Sequence, residues 1–196
     1  IQSPDAVSGK VAVLAGIAGV VSSYITGYIE HCVRVDGKQQ RLVIRETPCL
    51  LDRRAPIARR NSKLAEILAE LSRLSGVQFR TSGNWMDTPA PHFVNLGTGW
   101  EALRLIGQLS GLVDFVTLSQ PDGSLFAGSA GTLKRCRTVL RLDARIFTNL
   151  SATGAECAFI PALRPGMRIR IGDSAEQTIT QVTMTGEKLR LGFEYA

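Results

Sequence analysis

Short apolar runs separated by turn signals predict β-structure over residues 1 to 60. The run KVAVLAG predicts a strand that ends at Gly16, and SSYITGYIEHCVRV predicts a second strand. Asp36 and Gly37 then separate EHCVRV from KQQRLVIRE, and Asp-Gly between apolar runs is a strong signal for a β-hairpin. In the return strand Leu42 and Ile44 share one face, because successive strand residues point to opposite sides of a sheet.

The segment TPCLLDRRAPIARRNS interrupts this alternation. Its two prolines and four arginines favour a connecting segment over an interior strand. We therefore predict a domain boundary near residue 60.

After residue 60 the apolar positions change to a helical period. The spacing predicts a helix whose apolar stripe consists of Leu64, Ile67, Leu68, Leu71 and Leu74. Asn61 or Ser62 is the expected N-cap, and Gly76 lies just past the end of the helix. VQFRTS then predicts a strand.

A second helix and strand repeat this arrangement. Thr98 and Glu101 have the spacing of a capping box, in which each side chain bonds the backbone N–H of the other. The predicted stripe of this helix consists of Trp100, Leu103, Ile106 and Leu109, and Gly111 ends the helix. LVDFVTL follows as a strand and turns at QPDG (120–123) into SLFAGS. Residues 61–130 are therefore predicted to form a small α+β domain with two helix–strand units.

Strand patterns return over residues 131–196. RTVLRLDARIF, AECAFIPAL, MRIRIG, QTITQVTM and KLRLGFEY predict a mainly β domain. Within MRIRIG the period of two sends Arg168 and Arg170 to the face opposite Met167, Ile169 and Ile171. These two arginines are the candidate interface residues of the sequence, since that face meets either water or a partner.

Composition places the chain among ordinary globular proteins. It has 196 residues, of which 44% are hydrophobic and 20% are charged. No apolar run reaches the ~20 residues of a membrane-spanning helix, so we expect no membrane insertion. The chain starts at Ile1 rather than Met, which favours additional sequence upstream.

The net charge of +6 makes nucleic acid a candidate partner. Nine Lys or Arg residues lie between Arg34 and Lys63, against three acidic residues. A basic nucleic-acid-binding β-rich module is the alternative function, although aromatic residues for stacking on bases are few at 6%. An acidic protein surface or solvent could equally meet these charges.

The residues that support catalysis or metal binding are sparse. Cysteines stand at Cys32, Cys49, Cys136 and Cys157, and their spacing matches no Cys-x-x-Cys metal pattern. We expect free thiols and no cofactor; a four-cysteine iron–sulfur cluster assembled by the fold is the alternative. His31 and Cys32 are strand neighbours that point to opposite faces, and His92 is expected at the surface. No phosphate-binding glycine motif or paired carboxylates occur, so we predict no enzyme activity.

Several stretches together resemble bacteriophage tail baseplate hub proteins. These are YITGYIE, NSKLAEILAELSRLSGVQF, GTGWEALRLIGQLSGLVDFVTLSQPDGSLFAG, ALRPGMRIRIG and ITQVTMTGEKLRLGF, which run from Tyr24 to Phe193. The chain is most similar to the Mu-like hubs, which are related to the base of type VI secretion spike proteins.

The resemblance implies an α+β, mainly β fold with two tail-tube-like β-barrels flanking a small inserted α+β domain. The barrels would be 1–60, incomplete at its N-terminus, and 131–196, with the insertion at 61–130. TGYI (26–29) would lie on a strand of the first barrel, PDG (121–123) would close the last hairpin of the insertion, and 165–166 would turn the chain into the final meander.

The implied role is structural. Three copies would form a homotrimeric ring that joins the tail tube or a distal tail protein to the tail tip or spike. Genomic DNA would pass through the central channel. The protein would belong to the virion, in the tail baseplate, and would assemble in the cytoplasm of the bacterial host.

Overall fold

β-Strands make up most of the secondary structure in the computed structural model, which describes residues 7–17, 20–36 and 39–195. The predicted class, α+β with mainly β-structure, is confirmed. The chain divides into two units, Ile1–Gly128 and Ser129–Ala196. Among the described residues no sheet closes into a barrel, so the two predicted barrels stay a prediction.

The described residues of the first unit form eight strands and two α-helices. They are β1 (Lys10–Ile17), β2 (Val20–Arg34), β3 (Gln40–Glu46), β4 (Ile57–Lys63), α1 (Leu64–Ser75), β5 (Phe79–Thr81), β6 (Pro89–Asn95), α2 (Gly99–Leu109), β7 (Phe115–Ser119) and β8 (Leu125–Ser129).

β1, β2 and β3 form a three-stranded antiparallel sheet, in that order. The predicted hairpin between β2 and β3 is confirmed, although part of its turn, 37–38, lies outside the described residues. The segment 26–29 lies on β2, as expected. Exposure alternates along β3, where Leu42 and Ile44 are half-buried and Arg41 and Val43 are exposed. The apolar face of this sheet is therefore only partly covered.

The core of the first unit is built around α1 and α2. Leu64, Ile67 and Leu71 from α1 meet Leu103 and Ile106 from α2, and each of these side chains is almost fully buried. The ends of both predicted stripes are more exposed: Leu74, Trp100 and Leu109 lie at the rim. The strand order β5-β8-β7 completes the α+β arrangement, and the turn at 121–123 joins β7 to β8 as predicted.

The segment predicted as a connection is partly a strand. Residues 47–52 form a 3₁₀ turn, and β4 pairs with β6, a strand that the sequence pattern did not predict. Leu51, Ala55 and Ile57 belong to the same core as the two helices. The burial of these apolar side chains favours ordered structure here, and the arginines do not prevent it because their side chains point outward. The domain boundary at residue 60 stays a prediction, but residues on both sides of it pack in one core.

The start of α1 also differs from the prediction. The N-cap position is Lys63, without a side-chain cap, rather than Asn61 or Ser62. β4 continues to the first turn of the helix, and the N–H of Leu64 donates to the carbonyl of Thr88 at 3.1 Å. The backbone carbonyl of Thr88 therefore accepts from a free N–H group at the start of the helix, a role that a capping side chain usually fills. At the other end Gly76 adopts φ 75°, and in α2 both bonds of the Thr98–Glu101 capping box are present.

The second unit is a six-stranded sheet with one short helix. Its elements are α3 (Lys134–Arg137), β9 (Val139–Leu142), β10 (Phe147–Thr148), β11 (Gly154–Ala158), β12 (Arg168–Ile171), β13 (Gln177–Thr185) and β14 (Lys188–Tyr195). The strand order is β10-β11-β14-β13-β12-β9. One face is buried, with Ile169, Ile179, Leu189, Leu191 and Phe193 at most 5% exposed.

The sheet of the second unit must be strongly curled. β9 and β10 lie at its opposite edges, yet only residues 143–146 separate them in the sequence. The path from Leu142 to Phe147 can span at most about 17 Å, even when fully extended. A flat sheet would place the same two strands about 24 Å apart, at five strand spacings. The sheet therefore curves until its edges approach each other.

Candidate functional site

Arg168 and Arg170 lie on the outer face of β12, as the strand period predicts. The alternating residues Ile169 and Ile171 are buried on the other face, and Met167 is half-buried. The Arg168 guanidinium forms an ion pair with Glu176 of the same chain, and the side chains are 40% and 20% exposed. Arg168 therefore already has an internal partner, which the sequence pattern did not reveal.

Arg170 has a different environment. In the parallel ladder between β12 and β9 it lies directly opposite Arg141, so both side chains project from the same face. The Nε atom of Arg170 is buried and has no hydrogen-bond partner among the described residues. Arg141 was not singled out by sequence reasoning, because only the register of β9 brings it beside Arg170.

Three cations of the basic stretch from Arg34 to Lys63 form ion pairs with carboxylates of the same unit, namely Arg45, Arg59 and Lys63. Arg45 contacts Glu30 at 3.2 Å and Asp52 at 2.8 Å. Hydrogen bonds to these carboxylates raise the pKa of Arg45, with the bond to Glu30 contributing most.

Two further cations of the stretch meet carboxylates of the same unit. Arg59 contacts Glu70 at 3.0 Å, and Lys63 contacts Asp87 at 2.9 Å. Part of the charge that suggested nucleic acid is therefore balanced within the unit, whereas Arg41, Arg53 and Arg60 are exposed, so the alternative function stays a prediction.

The four cysteines occupy unrelated places in the fold. Cys32 on β2 donates from Sγ to Oε1 of Gln40 at 2.7 Å, and Cys49 lies in the 3₁₀ turn. Cys136 belongs to α3, and Cys157 on β11 is buried. Burial raises the pKa of both the Cys49 and the Cys157 thiol. Within the described part of the chain, no three His, Cys, Asp or Glu side chains are grouped to hold a metal ion.

Both histidines are exposed. His31 lies on β2 and His92 lies on β6. His31 and Cys32 are consecutive residues of β2, so their side chains point to opposite faces and do not form a thiol–imidazole pair. The exposure of His92 agrees with the surface position expected for it. No helix of the described residues has the length and apolar character needed to cross a membrane.

The turn between β7 and β8 contacts the first sheet, a contact that the sequence pattern did not indicate. The Ser23 and Thr26 hydroxyls of β2 donate to the carbonyl of Pro121 at 3.3 and 3.0 Å. Gly123 has φ 85°, and a Cβ there would lie 2.8 Å from Oγ1 of Thr47 and 3.0 Å from Cβ of Thr26. The turn therefore fits closely against β2, and a glycine is needed at this point.

Asp122 of the same turn is held by three groups. Its Oδ1 accepts from the backbone N–H of Ser124 at 3.0 Å and from the Ser124 hydroxyl at 2.7 Å. Its other oxygen forms an ion pair with Arg80 on β5. The hydrogen bonds from Ser124 hold the pKa of the Asp122 carboxyl below its usual range, and Arg80 adds to this effect.

Comparison with known proteins places this fold among phage tail proteins. The chain aligns with the 43 kDa tail protein of prophage MuSo2 from Shewanella oneidensis at a TM-score of 0.61 and 12% identity, covering 89% of this chain and 79% of that one. A tail protein from Neisseria meningitidis MC58 aligns at 0.51 and 14% identity, covering 89% and 81%. The chain has a phage tail protein fold.

A relative by sequence also comes from a phage. The chain is 22% identical over 144 residues to a 58.7 kDa protein of the lys 3′ region of Haemophilus phage HP1. The match covers 73% of this chain and spans about 27% of the length of that relative. No family model matches the sequence. At these identities the comparisons support the fold and assign no role to individual residues.

Proposed function

We propose that the chain is a structural baseplate hub protein of a phage tail and has no enzymatic activity. Three copies would form a ring that joins the tail tube, or a distal tail protein, to the tail tip or spike around a DNA channel. The observation that supports this proposal is the shared fold with two tail proteins, which extends over 89% of the chain. The protein would be part of the virion and would assemble in the host cytoplasm.

The two sheets are compatible with the barrels that a hub would contribute to a ring. The curled sheet of the second unit leaves only the gap between β9 and β10 to close. The β1-β2-β3 sheet has an apolar face whose members, such as Val11, Val13 and Leu42, are half-buried. An apolar face of this kind is expected for the inside of a barrel that further strands complete.

We place the contact with the neighbouring tail subunit on the face that presents Arg168 and Arg170. Pairing with carboxylates of that subunit would fix its position, whereas tight phosphate contacts would oppose the movement of DNA through a channel. In this proposal the four cysteines are free thiols in the particle and bind no cofactor. A brown, iron-containing preparation after anaerobic purification would contradict the last statement.

The oligomeric state is tested by light scattering of the pure protein at micromolar concentration, alone and with a tail tube protein. We expect a mass of three chains in at least one of the two conditions. A monomer in both conditions would refute the ring. A peptidoglycan hydrolysis assay on the same sample should show no turnover.

A further inference from the structure

We propose that Arg141 and Arg170 together form a binding site for a carboxylate that is supplied by an acidic segment of another protein. The site itself is independent of the role proposed above, which serves only to identify the partner as a tail protein. Arg168, although next in the sequence pattern, is not part of it, because Glu176 already occupies its guanidinium.

The register of β9 and β12 places two arginines side by side. In the β9–β12 ladder Arg170 is the direct partner of Arg141, so the two arginine side chains leave the same face from neighbouring strands, whose backbones are roughly 4.8 Å apart. Like charges directly opposite each other destabilise a sheet. Neither guanidinium has an ion-pair partner among the residues that the structure describes. A bound anion would convert this repulsion into attraction.

The Nε of Arg170 is buried and has no acceptor among the described residues. A buried N–H without an acceptor is uncommon in folded proteins and costs free energy. Arg141 beside it is exposed and Arg170 as a whole is only half-buried, so a turn of the Arg170 side chain would bring its Nε to an acceptor bound by Arg141. The isolated chain therefore contains an unmet donor next to an accessible cation.

A carboxylate fits these two arginines better than the phosphates of a nucleic-acid duplex do. The planar fork of an arginine matches a carboxylate in two parallel hydrogen bonds. A carboxylate at the end of a side chain can insert to reach a buried Nε, whereas a duplex presents its phosphates on a broad, stiff surface. α3 packs against β12 and brings Lys134 and Arg137, both exposed, which would attract an acidic segment during encounter.

The site is tested by following the Nε–Hε signals of arginine in the ¹⁵N-labelled chain. The Arg170 signal is assigned by its loss in Arg170→Lys. At fixed ionic strength the chain is titrated with a glutamate-rich peptide and, in parallel, with a short DNA duplex. We expect the peptide to shift the Arg170 signal in a saturable way. Arg141→Gln should weaken the peptide affinity about tenfold, as expected for the loss of a charged hydrogen bond.

The matched control is Lys188→Gln, which removes the same charge from an exposed position on β14. It should leave the peptide affinity unchanged. An unmoved Arg170 signal, or equal weakening by Lys188→Gln, would overturn the site. A larger shift with DNA at lower concentration than with the peptide would overturn the choice of a carboxylate. Because the titration uses the isolated chain, its failure would leave the hub proposal untouched.

Discussion

Gly123 packs tightly against β2 within the first unit, and replacing this glycine by alanine tests the contact. Gly123 has φ 85°, where an L-residue costs about 1–2 kcal/mol. The new Cβ would also lie 2.8 Å from Oγ1 of Thr47 and 3.0 Å from Cβ of Thr26, so the turn has to move away from β2. That movement weakens the two hydroxyl bonds to the Pro121 carbonyl, each contributing about 0.5–1.5 kcal/mol.

The expected loss for Gly123→Ala is therefore about 2–5 kcal/mol in the free energy of unfolding. Gly111→Ala is the matched control, since Gly111 belongs to the same unit and has φ 73°, and a Cβ added there would meet no atom of the described residues within 4 Å. The Gly111→Ala variant should lose only the contribution of the backbone conformation to the free energy of unfolding, about 1–2 kcal/mol. Urea unfolding of both variants measures the difference. Equal losses would refute the conclusion that the turn is fitted against β2.

Three further predictions concern the core and the charges. Asn95→Ala should cost about 2–3 kcal/mol in urea unfolding, because the buried Asn95 Nδ2 donates to the Ala55 carbonyl at 2.7 Å; a loss below about 1 kcal/mol would show that water replaces it. Ile169→Ala should cost about 2–5 kcal/mol in the same assay, because its side chain is 0% exposed; a change like that of a surface residue would contradict the buried face of the second sheet. The depressed pKa of Asp122 means that its carboxylate stabilises the fold above the ordinary value of 3.8 and that this contribution is lost as the pH falls through the lower folded pKa. Asp122→Asn should therefore flatten the loss of stability below pH 3.8 in a thermal melting series, and an unchanged profile would contradict the assignment.

Local signals in the sequence predicted most of the elements. The capping box at Thr98, the left-handed Gly76 and the hairpin after Asp36 depend on neighbours a few residues away, and all three are present. β4 and β6 were not predicted, because proline and arginine in their sequences favour irregular structure. Their pairing is decided by the distant core to which Ile57 and Phe93 contribute.

The sequence alone could predict only part of the candidate site. The period of two placed Arg168 and Arg170 on the outer face correctly. It could not show that Glu176 neutralises Arg168 or that Arg141 lies beside Arg170, since both depend on which strands become neighbours. The same limit applies to the contact of Pro121 with β2, which joins residues 95 positions apart. Strand order decides which distant residues become partners, and the local periodicity of the sequence does not reveal strand order.

The position of the protein in the virion tests the central claim most directly. Tailed particles produced by a strain that carries the gene for this chain can be labelled with a gold-conjugated antibody raised against the second unit and imaged by negative-stain electron microscopy. The proposed function predicts label at the distal end of the tail, at a collar with threefold symmetry. Label on the capsid, along the whole tube, or absent from intact particles would contradict it.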